Sequence, residues 1–183
     1  MTLDQALAEL PPPPRPLKAL APSYLDPAEW RPGRGRAVVP PGWTALRRQV
    51  LLRDGGCVYC GHVPSNDRRD HLEVNHLNGY RDNQLQALET VCVLCHRVLH
   101  AGRSAAIYGS LLLFRTALVD QNTLIRLSWH LRLAHAMPDR PLMALLGLGD
   151  PASFRMDRAY LATLYGYVVE QYWLLERGPV GPG

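Results

Sequence analysis

The sequence has little lysine, little phenylalanine and no long apolar run. Lys18 is the only lysine among 20 basic residues, and phenylalanine occurs twice. No run reaches the roughly 18 consecutive apolar residues of a membrane-spanning helix, so such a helix is excluded. Residues 1–20 lack a basic segment followed by an apolar one, so a secretory signal is not expected. A cytoplasmic location is therefore predicted.

Cysteine is also scarce, and its spacing is informative. The four cysteines form two CxxC pairs, Cys57 with Cys60 and Cys92 with Cys95. In a reducing compartment disulfides are disfavoured, and two such pairs are typical of a tetrahedral Zn²⁺ site. A structural zinc is predicted, since four thiolates leave no position for a reacting water. A redox CxxC, or cysteines that are merely buried, are the alternatives.

Chain length limits the number of domains, and the distribution of charge indicates the class of partner. A chain of 183 residues has room for one compact domain, or for a small module with appendages. The net charge is +4, and it is concentrated in residues 31–103, which carry +5 against −2 before them and +1 after them. A basic middle third is what a phosphate-binding surface requires. A GC-rich coding sequence explains the preference for arginine equally well.

Composition divides the chain into four segments. Residues 1–41 form a proline-rich arm, expected to be extended or irregular apart from a short helix near residues 2–9. Residues 42–103 hold the cysteines and the predicted core. Residues 104–177 have helical character, and residues 178–183 form a flexible tail.

The core segment alternates between helix and strand patterns. Apolar spacing predicts a helix over 43–53, which Asp54-Gly55-Gly56 would end. Residues 71–76 alternate as a strand does, and residues 89–94 resemble a second strand. A helix is predicted from residue 95 or 96 to about 101.

The C-terminal segment is predicted to be helical. Asp120 is a good N-cap for a helix to about residue 136, a short helix is expected over 142–146, and Asp157 would begin a last helix ending near 176. Residues 105–118 fit neither strand nor helix clearly. The aromatic residues of the last helix are expected to pack in the core or in an oligomer interface, so these helices are the predicted surface for a homodimer or a protein partner. His130 and His135 are interpreted as ordinary helix residues.

Three histidines near the cysteines suggest a second metal site. Asn75-His76 ends the first predicted strand, and His96 and His100 follow the second CxxC pair. A spacing of four places the last two on one helix face, where their imidazoles can share a cation. Each histidine alone is typical of a loop, a cap or a helix end, but the three together indicate a site.

The motifs resemble those of the HNH endonuclease family, in its zinc-knuckle branch with a ββα-metal core. The matching stretches are RDGGCVYCG at 53–61, LEVNHLNG at 72–79 and VCVLCH at 91–96, followed by His100. The similarity covers about residues 43–101. It implies a small ββα-metal core with a CxxC/CxxC structural zinc. Together with the α-helical C-terminal region, which is predicted from the residue pattern and is not covered by the resemblance, this gives an α+β fold.

The resemblance also implies roles for individual residues. His76 matches the general base, which activates water for attack on a phosphodiester bond of DNA. His96 and His100 match metal ligands, and Asn75 stands where the family usually has aspartate or histidine. The implied metal is Mg²⁺, Mn²⁺, Ni²⁺ or Zn²⁺, bound more weakly by an uncharged amide.

One departure affects the expected activity. The central Asn of the family motif falls on Ala87, whose methyl group neither coordinates nor accepts a hydrogen bond. Asn83 is the candidate substitute if the loop is rearranged. Three interpretations follow: a metal-dependent DNA nuclease, a degenerate HNH fold that binds DNA or a partner without catalysis, and a zinc-stabilised protein adaptor.

Arginines around the motifs are the expected nucleic-acid contacts. Arginine neutralises phosphate charge, and a set of them near a phosphodiester-cleaving core favours DNA as the partner. Salt bridges with neighbouring aspartates are the alternative for any one of them. The candidates are Arg47, Arg48, Arg53, Arg68, Arg69, Arg81 and Arg97.

Overall fold

A computed structural model describes residues 1–23, 40–64, 72–79, 82–105, 111–153 and 158–169. These residues form a mixed α+β fold with two small two-stranded sheets. The helices are α1 (Leu3–Glu9), α2 (Trp43–Asp54), α3 (Val93–Leu99), α4 (Ala101–Arg103), α5 (Gln121–His135), α6 (Asp139–Leu145) and α7 (Arg158–Leu161). The strands are β1 (Leu72–His76), β2 (Leu88–Cys92), β3 (Leu111–Phe114) and β4 (Tyr165–Val168).

The first sheet is an antiparallel pair of β1 and β2, followed directly by α3. Leu72 pairs with Cys92 at one end and His76 with Leu88 at the other. A 3₁₀ turn at Leu85–Ala87 leads into β2, and the Leu77 amide donates to the Ala87 carbonyl at 2.9 Å. Both predicted strands and the helix after the second CxxC pair are confirmed, with bounds shifted by one to three residues.

Helix α2 packs across this hairpin and ends as predicted, because Gly55 adopts a left-handed conformation with φ of 62°. Asp54, its last residue, is buried and accepts a hydrogen bond from the Thr90 amide at 2.7 Å. Arg53 also donates to the Asp54 carboxylate, at 2.7 Å. One buried carboxylate therefore joins the end of α2 to the middle of β2.

The N-terminal arm lies on the protein wherever the structure describes it. Thr2 and Gln5 form a capping box that begins α1. Beyond α1 the described arm has neither helix nor strand, as its prolines predict. The Lys18 amide donates to the Val58 carbonyl at 3.0 Å, and the Leu20 amide donates to Asn122 Oδ1 at 2.9 Å. The arm thus connects the first CxxC turn with α5.

The C-terminal segment is only partly helical. Helix α5 is confirmed, and the Asp120 side chain caps it by accepting from the Thr123 amide at 3.0 Å. The predicted helix over 157–176 is wrong in its described part. There α7 ends at Leu161 and β4 pairs antiparallel with β3, from Phe114↔Tyr165 to Leu111↔Val168.

The physical reason is the sequence Tyr165-Gly166-Tyr167-Val168. Glycine destabilises a helix interior, whereas tyrosine and valine favour strands. Gly166 also lies close to α3: a Cβ built on it would be 3.0 Å from the Val98 side chain. Residues 170–183, including the rest of that predicted helix and the tail, lie outside the described residues.

One apolar core joins the two halves of the chain. It includes the cysteines, Val91 of β2, Val98 of α3, Leu127 of α5 and Tyr167 of β4. Strand β4 packs on α3, where Gly166 lies against Val98, and so joins the second sheet to the segment that holds the cysteines. Among the described residues, no helix combines the length and apolarity needed to cross a membrane.

Candidate functional site

The four cysteines converge on one buried point. All are free and buried, and their sulfur atoms all lie within 4.8 Å of one another. Cys60 Sγ and Cys92 Sγ are 3.5 Å apart. Four converging thiols with no disulfide between them form a candidate metal-binding site.

Local backbone geometry produces each half of this cluster. In the first CxxC turn the Cys57 amide donates to the His62 carbonyl and the Gly61 amide donates to the Cys57 carbonyl, both at 2.9 Å. Gly61 has φ of 72°, which glycine alone adopts without strain. In the second turn Cys92 ends β2 and caps α3, and its sulfur accepts from the Cys95 amide at 3.4 Å.

The surroundings of the sulfurs favour a bound cation. Burial raises the pKa of the Cys60 and Cys95 thiols, because a charged sulfur loses its hydration there. Trp129 of α5 donates its Nε1 hydrogen to Cys92 Sγ at 3.1 Å, and the His62 ring stacks on Trp129 at 4.0 Å between centroids. A divalent ion would offset the cost of burying thiolates, so the donor set fits a metal.

The side chain of His76 lies on the face of the hairpin that is covered by α2. Its ring stacks on Trp43 with centroids 5.5 Å apart and planes inclined by 7°. Its Nε2 lies 3.1 Å from Asn83 Oδ1. Because an amide oxygen only accepts, this contact requires the hydrogen on Nε2, and in the neutral imidazole Nδ1 then keeps the lone pair. Asn83, rather than the buried Ala87, therefore orients this histidine.

Asn75 is directed into the interior. It lies opposite Glu89 in the hairpin, and its Nδ2 donates to Glu89 Oε1 at 2.9 Å. The same carboxylate accepts from Tyr59 at 2.7 Å and from Lys18 Nζ at 2.6 Å. Burial and the adjacent Glu89 raise the pKa of Tyr59, which keeps its hydroxyl protonated as a donor. The Asn75 amide is thus part of a buried hydrogen-bond network.

His96 of α3 and His100, the C-cap of that helix, lie next to each other, as the spacing predicts. Their rings meet edge to face with centroids 4.7 Å apart, and His96 Nδ1 contacts the Glu73 carboxylate. Burial lowers the pKa of His100 to about 3, so this imidazole is neutral at pH 7. Its Nδ1 is buried and has no hydrogen-bond partner among the described residues. A neutral, unpartnered imidazole nitrogen beside a carboxylate fits the requirements of a metal ligand.

The structure does not bring the three predicted histidines into one tight group. His76 and Asn75 are successive residues of a strand, so their side chains leave opposite faces of the hairpin. Among the described residues, two sets of three or more His, Cys, Asp or Glu ligand atoms lie within 4.8 Å of one another: the four cysteines, and Glu9 with His130 and His135. Neither His76 nor Glu73 completes such a set with His96 and His100.

The candidate DNA-contacting arginines differ in what they bind. Arg53 donates to Asp54 and to the carbonyls of Leu85 and Leu88, at 2.8 and 2.7 Å for the carbonyls, which holds the turn before β2. Arg47 donates to the Leu72 carbonyl at 2.9 Å. Arg48 is exposed on α2, and Arg97 is half-buried on α3. Arg68, Arg69 and Arg81 lie outside the described residues.

Sequence reasoning missed two carboxylates. Glu73 precedes Asn75 by two residues, so strand alternation alone puts both on one face, toward α3. Glu89 is 2% exposed. It lies at the start of a predicted strand, and nothing in the pattern of that strand indicates that its carboxylate is buried. Its four-residue network forms only when the arm, the CxxC turn and the hairpin come together.

The comparisons with known proteins do not place the chain in a family. No protein-family model matches the sequence, and no curated protein matches it either.

Proposed function

We propose that this protein is a metal-dependent HNH-type nuclease that hydrolyses phosphodiester bonds in DNA. One observation carries the proposal: a β-hairpin and a helix, joined by a four-cysteine cluster, present an oriented histidine at the end of β1. The order of elements and motif residues resembles that of a ββα-metal core, which supports the proposal. Histidine suits the general base because its pKa lies near neutrality.

His76 would accept the proton of the attacking water on Nδ1. The hydrogen bond to Asn83 selects the tautomer that leaves this nitrogen free, and the Trp43 stack limits rotation of the ring. In this proposal Asn83 replaces the orienting asparagine that the family motif expects at position 87.

A divalent ion would be held by His96 and His100, with Glu73 beside His96, although the three ligand atoms do not all lie within 4.8 Å of one another. The Glu73 carboxylate already contacts His96, and it supplies the negative charge that Asn75 lacks. The pKa of Glu73 is lowered, since the histidines outweigh the opposite effect of burial. When bound, such an ion neutralises non-bridging phosphate oxygens and stabilises the leaving oxygen.

The four-cysteine site would hold Zn²⁺ in a structural role. Thiolates are the ligands that select zinc among the common divalent ions, and four of them complete its tetrahedral shell. The ion would join the turn after α2 to the start of α3, and so keep the hairpin and the helix together.

A second candidate function is DNA or partner binding without catalysis, by a degenerate HNH fold. The orientation of Asn75 favours it, because an amide that donates to Glu89 is turned from the place where the family has a metal ligand. In that case the basic middle segment would bind phosphates without cleaving them.

Plasmid nicking separates the two candidates. The purified protein is incubated with supercoiled DNA and Mg²⁺, Mn²⁺, Ni²⁺ or Zn²⁺ in turn, alongside His76→Ala and the matched control Leu77→Ala, which alters an exposed neighbour. A nuclease nicks DNA with at least one metal, retains this activity in Leu77→Ala and loses it in His76→Ala. DNA binding that weakens with salt, without cleavage under any metal, supports the binding module instead.

A further inference from the structure

We infer that Glu9, His130 and His135 form a second metal site, which takes a borderline divalent cation such as Zn²⁺, Co²⁺ or Ni²⁺. The site lies between α1 and α5, away from the hairpin, and nothing in the proposed nuclease activity uses it. It is independent of that proposal.

The geometry brings three suitable ligand atoms together. His135 Nε2 lies 2.8 Å from Glu9 Oε2, and His130 Nε2 lies 3.6 Å from the same oxygen. All three ligand atoms are within 4.8 Å of one another. The two rings are inclined by 71° with centroids 5.8 Å apart, so both nitrogens are directed at one carboxylate from different sides.

The donor set selects the kind of ion. Two imidazoles and one carboxylate form a ligand set used by zinc and other late first-row divalent ions, whereas Mg²⁺ and Ca²⁺ prefer oxygen ligands. Solvent reaches the group, because the Glu9 side chain is 44% exposed and that of His135 is 35% exposed. Water can therefore complete the coordination shell.

His130 supplies the second indication. Its Nε2 is buried and makes no hydrogen bond with any described residue, although it faces Glu9. A buried nitrogen without a hydrogen-bond partner is costly, and a metal ion would satisfy it.

The position of the site gives it a structural consequence. Ala6 of α1 is completely buried against the core, and Arg126 of α5 donates to the Pro11 carbonyl just after α1. A metal that joins Glu9 to α5 would fix the start of the arm on the same helix that contributes Trp129 to the cysteine cluster. Metal binding is thus expected to protect the arm.

The test is calorimetric titration of Zn²⁺ into protein that retains the ion of its cysteine site. Three proteins are compared: wild type, His130→Ala/His135→Ala, and the matched double variant His96→Ala/His100→Ala. We expect wild type and His96→Ala/His100→Ala to bind an ion that His130→Ala/His135→Ala does not bind. Glu9→Gln, which preserves side-chain volume, is expected to weaken binding of that ion at least tenfold.

Proteolysis of the arm provides the second readout. Zn²⁺ is expected to slow cleavage in residues 10–23 of wild type and of the matched variant, but not of Glu9→Gln. Circular dichroism checks that each variant is folded. If His130→Ala/His135→Ala is not folded, Glu9→Gln alone decides the result. The inference is overturned if no ion binds beyond the cysteine site, or if Glu9→Gln binds Zn²⁺ as tightly as wild type.

Discussion

At the scale of single residues, the tertiary contacts of two asparagines decide their roles. Asn75, in a ligand position, donates to Glu89 in the interior, whereas Asn83, in the loop, accepts from His76. Asn75 and His76 leave opposite faces of β1, so Asn75 meets Glu89 and His76 meets the loop. The proposed catalytic histidine therefore depends on a loop residue that the motif does not require.

Asn83→Ala removes the acceptor that selects the His76 tautomer. If His76 is the general base, we expect nicking to fall by about 100-fold, as a misplaced catalytic group does, while the fold is retained. Nitrogen-15 shifts of the His76 ring should show a mixture of tautomers. Leu77→Ala changes an exposed apolar residue next to His76 and should alter neither quantity. Equal losses in both variants would contradict the assignment.

Glu89 offers a stability test at the same scale. Glu89→Ala leaves the Tyr59 hydroxyl and the Asn75 amide buried without their acceptor, and we expect a loss of about 2–4 kcal/mol. Urea unfolding measures it. Lys18→Met removes the third donor, but that side chain is 52% exposed, so its loss should stay below about 1 kcal/mol.

At the scale of elements, contacts between helices and strands decide the local structure. Helix α2 is joined to β2 through Asp54, and β4 is joined to α5 through Gln121, which donates to the Gly166 carbonyl at 3.0 Å and accepts from its amide at 2.7 Å. Each of these contacts joins segments that are far apart in the chain.

The Asp54 contact makes a pH prediction. Burial acts to raise the pKa of Asp54, but the hydrogen bonds from Arg53 and Thr90 outweigh it, so the folded-state pKa is below the ordinary value. The stabilisation is therefore complete above the unfolded-state pKa of about 4 and is lost as the pH falls through the folded-state value. Asp54→Asn should be less stable than wild type at pH 5–8, and the difference should shrink below about pH 4. Urea unfolding across this range measures it, and a difference independent of pH would contradict it.

Gly166 tests the close packing of β4 on α3. Gly166→Ala places a Cβ 3.0 Å from Val98 and 3.4 Å from Leu111, and we expect it to cost about 1–3 kcal/mol. Gly149→Ala is the matched control, since its Cβ would meet nothing within 4 Å, and its effect should stay within about 1 kcal/mol. Thermal unfolding compares the two variants, and equal shifts would exclude close packing as the cause.

At the scale of the whole molecule, the cysteine cluster is the point where distant segments meet. The arm reaches it through Lys18 and Val58, α5 reaches it through Trp129, and both halves of the chain share its core. Removing a metal from this point should therefore affect the whole fold.

Metal removal is the corresponding experiment. We expect purified protein to carry one thiolate-bound Zn²⁺ per chain by elemental analysis, and prolonged chelation to unfold it, because binding energy at such a site is folding energy. A thiol reagent should then react with all four cysteines, and with almost none before chelation. Cys95→Ser should lower the melting temperature strongly. A melting temperature that is unchanged after complete metal loss would refute the structural role.

Local sequence patterns predicted most of the helices and strands around the cysteine cluster. The bounds of α2, the hairpin, α3 and α5 follow from apolar periodicity, from the Gly55 stop and from the Asp120 cap. The CxxC spacing predicted the cysteine cluster, since two intervening residues allow both sulfurs of a turn to face one ion. The helix predicted over 157–176 failed because the same apolar spacing also fits buried strand residues, and tertiary pairing with β3 decided between them.

The sequence by itself therefore determined the local elements and the convergence of the cysteines, because helix caps, strand alternation and short turns depend on neighbouring residues. Only the tertiary structure decided which groups meet: Glu89 with Asn75, Glu73 with His96, and Glu9 with His130 and His135. The reason is that these partners are 14 to 126 residues apart, and only the packing of the shared core brings them within contact distance.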